Sequence, residues 1–458
     1  MCRTAISERM RSMSAEERKT ASDKNNTITE QVRTSADKEA GATKERVSSK
    51  VPAQKNAKKS AEKKKNAKEK STAKRVGDFA GKNIQRFNRF TSSEGVATDK
   101  EIRPLISFRF FICACLVLTL LMVMVLQNQS TYVRMEAVGV AGLPDALENY
   151  TILHVSDLNA AEFGADQTAL LRTINSLSYD IMLITGDMVG TSGDAEPFLA
   201  FLRGLKRKNN VYFIAGDADP GPLRASLREG EGTLEELVLE DWILDAIEIG
   251  ATYVDSPKAV TIGSTGTKLW ISPFSQLGVS AKQTVSIFED QLETELIGYL
   301  SGIGADYASY PFTDYRYRVA QKLLNAAGQM GADDVHIALA HVPPTDSMIS
   351  ITQDNHSDTP NEYLHSADLI LAGHYCGGVW KMPGYGAMYI PDALHGMNGW
   401  FPDQARVSGQ VSLGSSILHV TGGLSTSSDV KLPFRLFNQP EVSLITLTGL
   451  LTDNMFGN

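Results

Sequence analysis

Residues 180–187 read DIMLITGD. The apolar run is continuous rather than alternating, too short for a helix, and closed by a Gly-Asp turn. It reads as a strand buried on both faces that delivers a carboxylate at its carboxyl end. The same pattern stands upstream at 151–157 (TILHVSD) and downstream at 211–217 (VYFIAGD). Asp157, Asp187 and Asp217 are therefore 30 residues apart, one strand–helix unit each. Further on, 335–340 (VHIALA) runs into His341, and 368–372 (DLILA) into Gly373-His374. Other apolar runs lie at 268–272, 416–420 and 442–447, and helical patterns at 194–208, 233–248 and 316–328. Strands alternating with helices argue for an α/β fold with buried sheets covered by helices.

In an open α/β sheet, ligands bind outside the carboxyl ends of the strands. Five strands thus bring three carboxylates and two imidazoles to one rim. Clustered carboxylates repel one another and call for a cation. Mixed Asp/His ligation suits Mn, Fe, Zn or Ni better than Ca or Mg. A single strand-end Asp is commonly no more than a helix N-cap. Five ligand-type residues at strand ends in series exceed what capping requires.

The rest of the chain divides by charge. Residues 1–104 hold 26 Lys+Arg and 14 Asp+Glu, a net +12, whereas residues 105–458 hold 19 and 39, a net −20. An acidic C-terminal part without a basic face excludes a nucleic-acid-binding core, so no nucleic acid is expected as a partner. Cys376 is the single cysteine after residue 115, so the large C-terminal part holds no internal disulfide. Residues 1–104 carry too few large apolar side chains to offset the entropy of ordering, and read as a disordered Lys-rich tail. Near its end Val76, Phe79, Ile84, Phe87 and Phe90 interleave with Arg75, Lys82, Arg86 and Arg89. That stretch is either a strip lying on anionic lipid or a solvated flank. Residues 110–126 (FFICACLVLTLLMVMVL) carry no charge. Extended over 105–127, the segment reaches about 30 Å, one bilayer core. It reads as a single transmembrane helix, with the basic flank placing the N-terminus in the cytoplasm and the C-terminal part outside the cell. Residues 128–149 follow as a linker and lead-in strand, and 150–458 as the globular domain.

Taken in order, the strand-end motifs resemble those of the calcineurin-like metallophosphoesterases, in particular the membrane-anchored bacterial YkuE/YaeI-like branch. The family pattern D-x-H, G-D-x-x-D, G-N-H-D, H and G-H-x-H is matched by Asp157-Leu158-Asn159, Gly186-Asp187-Met188-Val189-Gly190, Gly216-Asp217-Ala218-Asp219, His341 and Gly373-His374-Tyr375-Cys376. The resemblance spans nearly all of 136–450. It implies a two-sheet α/β metallophosphoesterase sandwich flanked by helices, with one or two divalent metal ions at the strand ends. By the same resemblance Asp187 bridges two metals. Asp157, Asn159 and Cys376 take the ligand places of the first, and Asp217, His341 and His374 those of the second. The metals clamp a phosphate and activate water, with Asp187 and His374 in the catalytic centre.

The chain also departs from the pattern. Asn159 and Cys376 stand where the family has histidines, and both belong to the first metal. Asp217 replaces an Asn and adds a charge at the second. Ala218 replaces the histidine that serves as general acid, and Gly190 the last Asp of its motif. Two readings follow. One is an extracytoplasmic metal-dependent phosphoesterase at the cell membrane, acting on a phosphodiester, a pyrophosphate or a lipid- or wall-linked phosphate. The other is a weak or inactive relative that binds a phosphate ligand or a partner protein. A purely structural anchor would leave the ligand-type residues without a reason. His154 reads as a packed histidine within its strand, while His365 and His395, flanking the Gly373-His374 motif, read either as surface residues or as replacements for a lost group of the site. The stretch between Asp219 and His341 reads as specificity loops, with Trp242, Trp270, Phe274, Tyr307, Tyr310, Tyr315 and Tyr317 available either to stack on a ligand or to pack the core.

Overall fold

The structure is a computed structural model that describes residues 99–227, 235–264, 266–302, 305–353, 361–390, 397, 399–426 and 435–449. The tail up to residue 98 and His395 lie outside the described residues. The chain divides at Phe110/Phe111 into two units. Helix α1 (Asp99–Asn128) contains Phe110–Asn128, the one helix among the described residues long and apolar enough to cross a membrane. Its large apolar side chains, Phe110 to Leu126, are mostly exposed.

After α1 the chain builds a first sheet. Its strands are β1 (Tyr132–Gly139), β2 (Thr151–Val155), β3 (Ile181–Ile184) and β4 (Val211–Phe213), with helices α2 (Thr168–Ile174) and α3 (Glu196–Gly204) in the crossovers. A hairpin, β5 (Leu223–Leu227) with β6 (Glu235–Leu239), helix α4 (Asp241–Ile249) and the short β7 (Thr252–Tyr253) follow. The second sheet begins with β8 (Lys258–Ile262) and β9 (Thr267–Pro273). Helices α5 (Ala281–Ser301) and α6 (Ala305–Gln329) lead to β10 (Val335–Leu339), then α7 (Asp346–Thr352) and β11 (Leu369–Ala372). A small antiparallel sheet of β12 (Trp380–Met382), β13 (Gly386–Ile390) and β14 (Gly399–Trp400) precedes β15 (Gly409–Leu413), β16 (Ser416–Val420) and β17 (Glu441–Thr448). The first sheet runs β1-β17-β2-β3-β4-β7 and the second β15-β16-β11-β10-β9-β8.

Side-chain alternation explains why these strands are apolar throughout. On β3, Ile181 and Leu183 join the core that also holds Leu269, Ile337 and Leu369 of the second sheet, whereas Met182 and Ile184 pack with Phe198, Phe201 and Trp242 of the helices. Each strand feeds two cores, one between the sheets and one under a helix layer. The two-sheet α/β fold expected from the sequence is present. Strands β2, β3 and β4 are parallel, as are β9, β10, β11 and β16, so their carboxyl ends gather the motif residues.

Two local expectations change. Residues 233–248 are not one helix: 235–239 form β6, paired with β5, and the helix starts at Asp241. The Leu/Glu spacing there fits a helix, yet pairing with β5 wins because it completes the hairpin's ladder. The stretch expected as specificity loops is largely regular structure, strands β5 to β10 and helices α4 to α6, with the α5/α6 pair its longest part. Tyr307 and Tyr310 of α6 stack on Tyr299 of α5, so these aromatics hold the pair together.

His154 is fully buried, with its Nε2 2.9 Å from Thr185 Oγ1 and its Nδ1 3.2 Å from His419 Nδ1 across the sheets. His336 on β10 is buried too. Its Nδ1–H donates to the His365 carbonyl (2.8 Å), so its Nε2 accepts from the Ser272 hydroxyl (2.7 Å). His365 itself is exposed. Burial pushes the His336 pKa down to about 4, only partly opposed by the hydrogen bond to His365. The unfolded chain therefore takes up this proton near pH 6.5, and the folded chain does not until about pH 4. Stability falls with pH across that window, by about 3 kcal/mol from this residue. Denaturant unfolding of His336→Gln should show a shallower loss between pH 7 and 4.5 than the parent. Equal slopes would show that His336 is not a neutral buried group.

Candidate metal centre

The backbone at the rim is built for close approach. Gly186 has φ +97°, and a Cβ there would come within 2.5 Å of the Gly216 backbone nitrogen. The G-D turns after β3 and β4 thus pack against each other, and a larger residue would part them. Five of the seven candidate ligands are in the left-handed region: Asp157 (φ 58°), Asn159 (47°), Asp187 (52°), His374 (70°) and Cys376 (50°). Such conformations cost ~1–3 kcal/mol each and cluster where function holds them.

Asp187, Asp217, His341 and His374 converge. One ligand atom from each lies within 4.8 Å of the others. His341 Nδ1–H donates to the Thr185 carbonyl at 2.7 Å, which turns Nε2 toward the site. That nitrogen lies 3.1 Å from Asp187 Oδ2, 2.9 Å from Asp217 Oδ1 and 3.2 Å from His374 Nδ1. His374 Nδ1 is 3.1 Å from the same Asp217 oxygen. Burial disfavours a charged His341, but hydrogen bonds to Asp187 and Asp217 outweigh it and raise its pKa well above the ordinary value. His374 is raised too, with burial outweighed by its bond to Asp217. Burial works against the Asp217 carboxylate, yet the two histidines lower its pKa. Two carboxylates and two imidazoles around one point match the oxygen/nitrogen donor set of a borderline divalent ion.

The other candidate ligands sit beside this cluster. Asp157 is fully buried, and its carboxylate accepts the His374 N–H at 3.1 and 3.2 Å, with Cys376 Sγ 3.7 Å away. Burial, with Asp187 adding to it, raises the Asp157 pKa. Asn159 leans over Gly190: a Cβ on that glycine would lie 2.8 Å from Asn159 Oδ1. Both the amide oxygen and the amide nitrogen of Asn159 are buried without a hydrogen-bond partner. Orphaned polar atoms at such a place fit a missing ligand, ionic or phosphate. Two departures from the sequence pattern, Asn159 and Gly190, are therefore direct neighbours. At Ala218 the backbone N–H donates to Asp187 Oδ1 at 2.9 Å, and the side chain offers no proton.

Three supports escaped the sequence reading. The Thr185 carbonyl sets the tautomer of His341. Asp219 accepts from the Val189, Gly190 and Gly216 N–H groups at 2.8–2.9 Å and ties two motif turns together. Arg435 is buried and makes six hydrogen bonds, among them to the carbonyls of Cys376, Gly422, Gly423 and Ser425. Each carbonyl left unpaired without it would cost ~1–3 kcal/mol. Sequence spacing signals neither backbone acceptors nor the loop an arginine pins.

Residues 150–377 match the family model described as Calcineurin-like phosphoesterase. The chain carries a calcineurin-like phosphoesterase domain. All seven candidate ligands fall inside the matched range, whereas Arg435 and β15 to β17 lie beyond it. No curated protein matches the chain. A solved phosphopantetheinyl hydrolase (PptH) from Mycobacterium tuberculosis is similar at 12% identity and a TM-score of 0.30, over 68% of this chain and 99% of its own. The phosphoesterase domain implies a phosphate-ester substrate and a dependence on divalent metal.

Proposed function

We propose that the phosphoesterase domain is a working but weakened hydrolase, tethered to the cell membrane with its C-terminal domain outside, as in the membrane-anchored branch of the family. Its substrate is a phosphodiester, a pyrophosphate or a lipid- or wall-linked phosphate. The observation that carries this reading is the convergence of Asp187, Asp217, His341 and His374 within 4.8 Å. These four residues would hold a divalent ion of Mn, Fe, Zn or Ni type. When bound, such an ion supplies Lewis-acid polarisation of a phosphoryl oxygen and lowers the pKa of water.

The chain's own groups orient the reaction. Thr185 holds His341 with Nε2 inward, and Asp187 keeps one oxygen on the Ala218 N–H and the other on the site. The Asn159 amide nitrogen, buried without a protein partner beside Gly190, is available to donate to a bound ligand. With Ala218 in place of an acid, the leaving group departs without a proton from that position. Esters of acidic alcohols are therefore the better substrates, since loss of one general acid costs ~10²–10⁴ in rate.

A second reading has its own observation. The Asp157 carboxylate is engaged by the His374 N–H, which favours a site with one metal, or a binder of phosphate or of a partner protein. Metal analysis of the purified full chain with Mn²⁺, Zn²⁺ and Ni²⁺, alongside hydrolysis of bis-p-nitrophenyl phosphate, separates the two. Bound metal with metal-dependent release of p-nitrophenol is the expected result. Bound metal with no hydrolysis, or no bound metal at all, would overturn the hydrolase and favour the binder. The outward topology rests on the basic flank of Phe110–Asn128. Protection of the C-terminal domain from protease added to wall-stripped cells would overturn it.

A further inference from the structure

A cavity of about 700 Å³ opens beside the metal centre. His341 is part of its lining, and so is Ala215, two residues before Asp217. From there it runs under the helical pair. Ile214 and Leu223 face Val319, Ala320 and Leu323 of α6, with Phe288 of α5 contributing. The lining is predominantly apolar. Its acidic wall residue, Asp255, is already neutralised: Lys258 Nζ is 3.0 Å and Lys322 Nζ 3.2 Å from its oxygens, and Ser256 donates to it at 2.7 Å. Gln276, on the same wall, gives its nitrogen to the Asp255 carbonyl, while its buried oxygen has no protein partner.

A space of this size is typical of a small-molecule site. His341 and the neighbouring metal cluster stand at one part of the wall, while Asp255 and Arg316 are the charged residues on the rest of a lining that is mostly apolar. We infer that the site takes an amphiphilic phosphate ester: the phosphate lies at Asp187, Asp217, His341 and His374, and an aliphatic chain esterified to it fills the cavity under α5 and α6. Phe110–Asn128, apolar enough to cross a bilayer, suits a chain that meets such molecules at a membrane surface. The inference rests on the proposed phosphoesterase reading for its headgroup, and on the cavity for its tail.

The test uses the full chain in lipid nanodiscs with Mn²⁺ and p-nitrophenyl phosphodiesters of methanol, butanol and octanol. Water adds to phosphorus, the P–O bond to p-nitrophenol breaks, the alkyl phosphate remains, and the released proton goes to solvent. kcat/KM should rise at least ~10-fold from methyl to octyl, because each buried methylene favours binding. Methyl-, butyl- and octylphosphonate, which cannot be hydrolysed, should bind with the same order by calorimetry. Val319→Trp on α6 and Leu223→Trp on the facing wall should flatten both series while bound metal stays at the parent level. A steep phosphonate series with no hydrolysis of any ester would retain the cavity and remove the enzyme reading. Flat series in the parent would overturn the inference. So would steep series in a tryptophan variant that keeps its metal, since the chain would then be partitioning into lipid.

Discussion

Asp187→Asn should empty the metal centre, whereas Asp157→Asn should leave most of it in place. Both carboxylates end parallel neighbouring strands and both have positive φ, which Asn tolerates, so neither change breaks the backbone. Asp187 belongs to the four-donor cluster, and its Oδ2 lies 3.1 Å from the inward nitrogen of His341. Asp157 lies outside that cluster, with its oxygens turned to the His374 N–H. Changing even an outer partner of a ligand costs ~10–100-fold in metal affinity, so losing a charged ligand should cost at least ~100-fold. Metal content by elemental analysis and activity on bis-p-nitrophenyl phosphate should both vanish for Asp187→Asn. For Asp157→Asn, at least one ion should remain. Equal loss in the two variants would show that the four residues do not form a separate site.

The second large effect is a gain. Asn159→His, Ala218→His and Cys376→His together restore the family pattern everywhere but at Asp217 and Gly190. Gly190, with no side chain, leaves the side of residue 159 that faces it free of a Cβ. Residue 218 is half-buried, and its backbone N–H lies on Asp187. Position 376 is harder: Cys376 is buried, and an added ring costs ~1–3 kcal/mol of overpacking. The triple variant should bind a second ion and hydrolyse a generic diester ~10²–10⁴-fold faster, chiefly through the restored acid. Ala218→His alone should gain little. A parent as fast as the triple variant would mean that the native residues already form a competent site. A triple variant with two metals and no hydrolysis would favour the phosphate-binder reading.

The strand ends were legible because a strand buried on both faces has one chemical signature, and because the residue that follows it must stand at the rim. Asp157, Asp187, Asp217, His341 and His374 follow from that rule. The pairing of 235–239 with 223–227 was not legible, since Leu and Glu at that spacing suit a helix as well as a hairpin. The clamps by Arg435 and Asp219 were hidden for another reason: their partners are backbone groups, which every sequence has. The cavity under α5 and α6 escaped because it depends on where two helices come to rest, and the aromatic run that suggested loops turned out to join those helices.

The position of β17 sets a timetable for making the protein. This strand is the last among the described residues, yet it lies between β1 and β2, paired in parallel with one and antiparallel with the other. The first two described strands are never adjacent, and the gap between them waits for residues 441–448. At synthesis rates of ~5–20 residues per second, the interval from Val155 to Glu441 lasts roughly 15–60 s. Throughout that time one edge of β1 and one edge of β2 lack the strand that pairs with them. The nascent chain must shield those open edges until residues 441–448 are made, and a ribosome that stalls before them leaves a sheet that cannot close.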